Sequence, residues 1–398
     1  MSHAQQQNEQ EVVEGGWDPR RVFEVVLGVP ATDGNLVEVL RNGDRIFPAM
    51  LEAIEAAERS VDFLTFIYWT GDIAQTFARA LADRAEAGVR VRVLLDALGS
   101  RRMDDGLIEL MTDAGCEVQQ FRPVDADAEL GETFHRTHRK VLVCDGTVGF
   151  TGGVGIAAEW EGDARGPDEW RDTHYRVEGP GVDGLRAAFL QNWSETGLSL
   201  LDPGIDHLEP QGTPGTTPLQ VIADSDATGP SSTGLAFHLM LAGAERRVRI
   251  ATAYFTPDDD MLQHIVEASE RGVEVEVLVP GEHCDKSFVR WAAESDYRRL
   301  LDAGVSVCVF EPSMLHAKVM TADGRVAVIG SSNINSRSLS EDDEVIMITF
   351  DEEIVAQLDD DFDEDLGRTD ALDPEDWARR GILRRAVENV AATVSELL

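Results

Sequence analysis

The sequence predicts an α/β protein in which two homologous α/β/α sandwich halves form a pseudo-twofold fused dimer with one site between them. Strand-like and helix-like segments alternate in the same order twice along the 398 residues. The spacing H-x-K-x4-D also occurs once in each half, starting at His138 and at His316. Because a parallel sheet needs crossover helices, the alternation predicts helices on both faces of a largely parallel sheet.

Composition divides the chain into five segments. Residues 1–20 are polar and rich in Gln and Glu, which is typical of a disordered leader. The first domain is predicted at 21–207 and the second at 219–370, joined by the Pro/Gly/Thr-rich linker 208–218. An amphipathic C-terminal helix is predicted at 371–398.

Apolar periodicity predicts equivalent elements in the two halves. In the first half the strands are 35–40, 61–69, 89–95, 117–121, the strand of the first motif and a hairpin return at 147–151, and the helices are 46–58, 73–87 and 107–114. In the second half the strands are 219–222, 248–254, 273–279, 305–310 and the strand of the second motif, and the helices are 235–244, 261–271 and 288–301. Gly88 and Gly272 follow equivalent helices, as C-terminal caps do.

The charge balance is strongly acidic. With 74 acidic and 35 basic residues the formal net charge is −39. Such a charge repels nucleic acid phosphates, and repulsion among the carboxylates themselves destabilises the compact state. A cytosol of high ionic strength rationalises this, since the Debye length falls to about 3 Å near 1 M salt; calcium or polycation binding is the alternative. The acidic run at 359–365 lacks the glycine and spacing of a calcium loop, so a solvated helix face is expected.

Other bulk features indicate a cytoplasmic protein, with peripheral contact at the inner face of the cell membrane as an option. The four cysteines have no metal-ligand spacing, and three lie in apolar strand-like runs, which predicts buried, reduced thiols. No stretch of about 18 apolar residues predicts a membrane span.

Each motif places an imidazole beside an ammonium. Side chains at i and i+2 of a strand share a face, so His138 and Lys140 point the same way, as do His316 and Lys318. Pseudo-twofold packing would bring all four into one pocket that fits a phosphodiester anion. The lysines would neutralise its oxygens, one histidine would attack phosphorus and the other would protonate the leaving alkoxide. No metal or other cofactor is expected.

A small-residue turn follows each motif. It is Gly152-Gly153 in the first copy and Gly330-Ser331 in the second. Such turns let a phosphate approach closely and add hydroxyl or backbone donors.

The doubled motif resembles the phospholipase D superfamily, whose mark is two copies of H-x-K-x4-D-x6-G-[GS]. Within it, residues 30–398 are similar to bacterial cardiolipin synthases. The segments that carry this similarity are HRK at 138–140, TGG at 151–153, WRDTH at 170–174, EGP at 178–180 and GSSN at 330–333. The resemblance implies two phospholipase D-like halves and a phosphohistidine intermediate, with transfer to an alcohol or to water.

The resemblance also implies roles for individual residues. The catalytic residues of the two motifs are His138, Lys140, Asp145, His316, Lys318 and Asp323. His138 is the expected nucleophile and His316 the general acid, whereas the two aspartates are expected to brace the motif loops. Substrate-binding residues are Gly153, Ser331 and Asn333, and the carboxylates that orient the histidines are Asp172 for His138 and Glu344 for His316. Two positions depart from the family pattern, Gly155 and Asp342, where asparagine is usual, and they concern the fine recognition of substrate.

Residues outside the motifs have two interpretations each. Tyr68 and Tyr254 end equivalent strands and either line the pocket or pack in the core. Near the C-terminus, apolar residues at helical spacing accompany a cluster of arginines. This pattern predicts either an interfacial helix for lipid headgroups or a terminal helix packed on the protein body.

The leading function is a phosphatidyltransferase that acts on glycerophospholipids at a membrane surface. The alternatives are a phospholipase D-type hydrolase, a nuclease or other phosphodiesterase, and a non-catalytic lipid-binding protein. Nucleic acid is not an expected partner, because phosphate binding needs a basic surface. The internal duplication also removes any need for an oligomer to complete the site.

Overall fold

The computed structural model describes residues 17–123, 135–202, 210–225, 231–381 and 391, and one sheet of fifteen strands runs through this part of the chain. The strands are β1 (Thr32–Arg41), β2 (Ser60–Thr65), β3 (Arg90–Asp96), β4 (Glu117–Phe121), β5 (Val141–Cys144), β6 (Val148–Gly152), β7 (Thr173–Glu178), β8 (Thr217–Asp224), β9 (Arg247–Thr252), β10 (Phe255–Thr256), β11 (Glu274–Pro280), β12 (Ser306–Phe310), β13 (Lys318–Ala322), β14 (Val326–Gly330), β15 (Ile334–Asn335), β16 (Glu344–Thr349) and β17 (Thr369–Ala371). Strands β10 and β15 form a separate two-stranded sheet.

Helices cover the sheet. They are α1 (Pro19–Leu27), α2 (Gly43–Ala56), α3 (Asp72–Glu86), α4 (Asp105–Asp113), α5 (Gly181–Trp193), α6 (Ser232–Gly243), α7 (Asp259–Glu270), α8 (Ser287–Asp302), α9 (Ser336–Ser340), α10 (Glu352–Leu366) and α11 (Pro374–Ala378). Within the described ranges, no helix has the length and apolar composition that crossing a bilayer requires.

The strand order is symmetric about β1 and β8, which pair antiparallel in the middle of the sheet. Outward from β1 the order is β7, β6, β5, β2, β3, β4. Outward from β8 it is β16, β14, β13, β9, β11, β12, with β17 at the edge. The matching orders define two repeated halves related by a pseudo-twofold axis at β1 and β8, which confirms the predicted α/β fold class.

Strand direction corrects one expectation. Only β2-β3-β4 and β9-β11-β12 pair in parallel within the described sheet, and the other neighbours are antiparallel. The prediction of a largely parallel sheet is therefore wrong. Each motif strand forms a hairpin with the next strand, β5 with β6 and β13 with β14, and short turns can join only antiparallel strands.

Helix ends follow local sequence signals. In α7 the Asp258 side chain accepts a hydrogen bond from the Met261 N–H at 2.7 Å, and Asp259 and Asp260 occupy the first turn, where carboxylates are favoured. Gly272 follows the helix at φ 93°, a conformation that glycine adopts without a steric penalty. These ends lie within two residues of the predicted ones.

Helix α1 is an element that apolar periodicity missed. It begins at Pro19, with the Asp18 side chain as its cap, and its buried Phe23 packs in the hydrophobic core of the second half. The expected leader extends to residue 20 and the first domain begins at 21, so this boundary lies inside α1. Residues 1–16 are outside the described chain. The cap followed by proline was the available signal for this helix.

The acidic run 359–365 lies on α10 and is solvated only in part: Asp360, Asp363 and Glu364 are exposed, whereas Asp359 and Asp365 are buried, so the expected solvated face is wrong for those two. Asp365 is 2% exposed and pairs with Arg171 of the first half at 2.8 Å. Asp359 is also buried, and it accepts hydrogen bonds from Thr321 at 2.6 Å and from Arg247 at 2.9 Å. Ion pairs therefore hold α10 against both halves.

The described end of the chain is held on the second half. In α11, Trp377 packs against Tyr297 with ring centroids 5.6 Å apart, and the Arg380 guanidinium lies 3.5 Å from the Trp377 ring centroid. Arg379 pairs with Glu375 at 2.9 Å. Within residues 371–381 the expected amphipathic helix is helical only at α11, so its predicted start at 371 is wrong. Residues 382–390 and 392–398, the acidic loop 125–132 and residues 208–209 of the linker are outside the described residues.

One hydrophobic cluster joins the two halves. It combines α5 and strands of the first half with β14, β16 and α10 of the second, through residues such as Phe189, Ala327 and Met347. All four cysteines are buried and unpaired, which was expected for the three in apolar strand-like runs. The shared core and the continuous sheet hold the two motif strands in a constant relation.

Candidate active site

Backbone hydrogen bonds place each motif histidine against the opposite half. The His138 N–H donates to the Asp343 carbonyl at 2.9 Å, and the His316 N–H donates to the Arg171 carbonyl at 2.7 Å. Isolated parallel bridges, Thr137 with Asp343 and Arg171 with Leu315, continue these contacts. The segment before β5 is thus paired with the segment before β16, and the segment before β13 with the segment before β7.

The same exchange brings each histidine to a carboxylate of the other half. His138 Nδ1 lies 2.8 Å from Glu344 Oε1, and His316 Nδ1 lies 2.7 Å from Asp172 Oδ2. The predicted pairing of Asp172 with His138 and of Glu344 with His316 is therefore wrong. The motif position shows which residues are equivalent, but not on which side of the interface their side chains lie.

The two carboxylates are held differently. Asp172 Oδ2 also accepts from Trp160 Nε1 at 2.8 Å, and Asp172 Oδ1 accepts from the Thr173 N–H at 2.8 Å. Glu344 instead accepts from the Ser331 hydroxyl. A Cβ added to Gly153 would lie 2.0 Å from Asp172 Oδ1. Gly153 and Ser331 were expected to bind substrate, and in the structure each lies against a carboxylate. Gly153 leaves space for the Asp172 side chain, and the Ser331 hydroxyl donates a hydrogen bond to Glu344.

The motif lysines lie beneath the histidines. Lys140 Nζ donates to the His138 carbonyl at 2.7 Å. Lys318 Nζ lies 2.8 Å from His316 Nδ1 and 3.3 Å from its Nε2. Burial lowers the pKa of Lys140 to about 7, and the negative charge of Glu344 offsets this only in part. Burial likewise lowers the pKa of Lys318 to about 8, against the opposing effect of Asp172. The positive charge of Lys318 acts on both Lys140 and His138, so the two motifs share one electrostatic environment.

Both histidines are held neutral near pH 7. Burial lowers the pKa of His138 to about 4 despite the opposing effect of Glu344. Burial and the Lys318 ammonium lower the pKa of His316 to about 3. Burial also opposes ionisation of the two carboxylates, but the neighbouring charges keep the pKa of Asp172 and of Glu344 below the ordinary values. With Nδ1–H of each ring donated to a carboxylate, Nε2 is the nitrogen left for chemistry, and in His316 it lies 3.3 Å from Lys318 Nζ.

The motif aspartates lie at the far end of the strands. Asp145, at φ 54°, accepts hydrogen bonds from the backbone N–H groups of residues 58–60 at 2.7–2.9 Å. Asp323, at φ 57°, does the same for residues 245–247 at 2.8–2.9 Å. Six residues separate each aspartate from its histidine, which is about 20 Å of extended chain. This placement fits the loop-bracing role expected for them and separates them from the reacting groups.

Aromatic rings surround the two histidines unequally. Phe66 meets His138 edge to face with centroids 5.3 Å apart. Three rings surround His316, at centroid distances of 5.2 Å for Trp160, 5.3 Å for Trp170 and 6.3 Å for Tyr254. Tyr254 therefore lines the site, whereas Tyr68 is fully buried in the core and donates to the Ala74 carbonyl at 2.7 Å.

The turns that follow the motifs differ at Gly155 and Asn333. Ile67 packs so closely over Gly155 that an added Cβ would lie 2.6 Å from Ile67 Cβ. In the second half Asn333 is 2% exposed, and its Oδ1 has no hydrogen-bond partner among the described residues. The other departure, Asp342, accepts from Arg337 Nε at 3.0 Å, and burial raises its pKa to about 7.

Four residues of the site carried no predicted role. They are Phe66, Trp160, Trp170 and His174. His174 is 1% exposed, lies in register with Gly152, and has no partner for either ring nitrogen among the described residues. Its place in the WRDTH segment, two residues after Asp172 on the same face of the strand, was the available signal. Trp160 and Phe66 had none, because single aromatic residues most often indicate core packing.

A family model described as "Cardiolipin synthase, PLD-like domain" matches residues 50–159 and 239–366, one segment in each half. The cardiolipin synthase of Geobacillus kaustophilus is 34% identical over 375 residues, which cover 93% of this chain and 74% of that protein. Cardiolipin synthase 1 of Bacillus anthracis is 31% identical over 383 residues, with the same coverage.

A solved structure shares the fold. The phosphatidylserine synthase of Haemophilus influenzae superposes with a TM-score of 0.72 at 14% identity, over 95% of this chain and 97% of that one. The matched family segments together span more than half of the sequence and contain both motifs. The chain therefore belongs to the cardiolipin synthase family with phospholipase D-like domains.

Proposed function

We propose that the protein is a phosphatidyltransferase of the cardiolipin synthase kind, in which both motifs form one active site and the reaction passes through a covalent phosphohistidine. The crossed histidine–carboxylate pairs are the observation that carries this proposal. Since each imidazole takes its orienting carboxylate from the opposite half, neither half holds a complete pair alone.

In the first step His138 Nε2 attacks the phosphorus of a phospholipid. The phosphorus–oxygen bond to the departing alcohol breaks, and His316 Nε2 supplies the proton that the alkoxide takes up. A neutral His138 suits this role, because its pKa of about 4 leaves the nitrogen lone pair available at pH 7. Glu344 then stabilises the positive charge that forms on the ring.

The general acid needs a proton that the free site disfavours. Binding of the phosphodiester anion beside His316 favours the protonated imidazole, because an opposite charge at close range raises the pKa of a histidine. Lys140 and Lys318 neutralise the phosphate oxygens at the same time. In the second step His316 takes the proton of the acceptor hydroxyl, whose oxygen attacks phosphorus and releases His138.

The lipid substrate places the reaction at a bilayer surface, and we propose a cytoplasmic protein with peripheral membrane contact. At a net charge of −39 the approach to anionic lipid depends on salt. Co-sedimentation with phosphatidylglycerol vesicles should therefore increase from 0.1 M to about 1 M salt, as the Debye length falls from about 10 Å to about 3 Å. Binding that is strongest at low salt contradicts this.

The function is tested by incubating the protein with phosphatidylglycerol vesicles and analysing the lipids by mass spectrometry. Cardiolipin together with free glycerol is the expected product pair, and His138→Ala and His316→Ala should each abolish both. Phosphatidic acid without cardiolipin would make the protein a hydrolase. Unchanged turnover in both variants would refute the mechanism.

A further inference from the structure

Lysine is rare in this chain. Of the 35 basic residues only three are lysines, and two of these, Lys140 and Lys318, belong to the motifs. The remaining basic residues among the 35 are arginines. Lysine differs from arginine as a compact, strongly hydrated donor on a flexible stem. The third lysine, Lys286, is therefore a candidate for a function that arginine does not provide.

Lys286 lies beside the candidate active site. It directly precedes α8, and its Nζ is 4.9 Å from the ring centroid of Tyr254, which is itself 6.3 Å from the His316 ring centroid. The sum of the two distances places the ammonium at most about 11 Å from the His316 ring. The neighbouring Asp285 accepts from the Tyr254 hydroxyl at 2.8 Å, and its charge acts on Lys318.

The ammonium of Lys286 is exposed and forms no ion pair within the described ranges. Two arginines on the following helix, α8, do form ion pairs with acidic residues. Arg290 lies 3.7 Å from Glu294, and Arg298 lies 2.7 Å from Asp302. This exposed ammonium, at most about 11 Å from the His316 ring, is therefore not neutralised by a carboxylate at ion-pair distance within the described ranges. Its charge remains available to an anionic ligand.

We propose that Lys286 and Tyr254 form a second anion subsite, which binds the phosphate that does not react and thereby selects an anionic phospholipid as the acceptor. This inference rests on the proposed function. Transfer to phosphatidylglycerol joins two phosphodiesters through one glycerol, so a second negative charge lies three carbons from the reacting oxygen. Tyr254 spans the interval between His316 and Lys286, and the flexible lysine stem adjusts to the position of that charge.

The test is a competition between two acceptors in one reaction. Vesicles of phosphatidylglycerol are supplied with 1-butanol, and the ratio of cardiolipin to phosphatidylbutanol is measured. Lys286→Met should lower this ratio about fivefold, through the KM for phosphatidylglycerol as acceptor, because an exposed ion pair contributes modestly to binding. Lys286→Arg should restore most of the ratio, and the difference should shrink near 1 M salt.

Arg298→Met on the exposed side of α8 is the matched control, and it should leave the ratio unchanged. An unchanged ratio in Lys286→Met, or an equal loss in Arg298→Met, overturns the subsite while the transfer activity stands. Absence of both products with the native chain instead refutes the proposed function, and the subsite with it. The two failures are thereby distinguishable.

Discussion

His138 and His316 each contact a carboxylate from the opposite half, and this crossed pairing predicts which variant perturbs which imidazole. Glu344→Gln should lower kcat about a thousandfold or more, since the amide no longer stabilises the imidazolium that forms on His138. Nitrogen NMR of the histidine side chains should show the His138 signals shifted in this variant. Asp172→Asn should shift those of His316.

Glu352→Gln, an exposed change on α10, serves as the control for these two variants and should leave both kcat and the histidine signals as they are. A shift of the His316 signals in Glu344→Gln, with those of His138 unmoved, would restore the within-half pairing that the motif positions suggested. It would contradict the crossed arrangement.

At Gly153 an added side chain would collide with one identified group, the Asp172 carboxylate. In Gly153→Ala the new methyl group would displace the Asp172 carboxylate from His316, since its Cβ would begin 2.0 Å from Asp172 Oδ1. We expect a loss of activity and a fall of about 1–3 kcal/mol in the free energy of unfolding. Activity assays and denaturant titrations measure the two effects.

Gly166→Ala provides the comparison, because nothing lies within 4 Å of the Cβ that it adds. This variant should stay within about 0.5 kcal/mol of the native free energy of unfolding. Equal behaviour of the two alanine variants would show that Gly153 is not needed as a space for Asp172.

At the scale of elements, helix α10 acts as an ionic connection between the halves. Asp365→Asn leaves the buried Arg171 guanidinium without its carboxylate, so the free energy of unfolding should fall by about 3–5 kcal/mol. Asp360→Asn, on the exposed side of the same helix, should change it little. Equal unfolding midpoints for these variants would mean that the pair contributes nothing to stability.

Periodicity predicted most elements because each buries one face. The α7 helix and its Gly272 cap are an example, as is the β5–β6 hairpin. Periodicity could not predict the environment of an acidic face. The run 359–365 looks solvated by composition, and only the fold brings Arg171 and Arg247 to it. Helix α1 was missed because its partner, α6, lies in the other half.

Over the whole molecule, the net charge of −39 predicts stability that depends on ionic strength. Repulsion among surface carboxylates is screened as the Debye length falls from about 10 Å at 0.1 M to about 3 Å at 1 M salt. The Tm should therefore rise with KCl over this range. Calcium chloride at matched ionic strength should give the same Tm, whereas a large extra rise at millimolar calcium would favour specific cation binding.

The duplication was visible in the sequence because both motifs retained their spacing. The pairing of each histidine with a carboxylate of the other half was not visible in the sequence. Equivalent positions in two repeats do not show which residues of one repeat contact the other. Asp172 and Glu344 were identified from their positions, yet each lies against the histidine of the other half. Likewise, Gly153 and Ser331 are equivalent in sequence, but one makes room for a carboxylate and the other donates to one.

The proposed reaction forms a phosphohistidine on His138, in a site that both halves complete. Phosphatidylglycerol with a 32P-labelled phosphate is mixed with the protein, quenched in alkaline detergent and digested, and the labelled peptide is identified. The label should reside on the peptide that contains His138, should be absent in His138→Ala, and should persist longer in His316→Asn, where release is slowed. Label on the His316 peptide alone, or turnover without any labelled histidine, would contradict the mechanism.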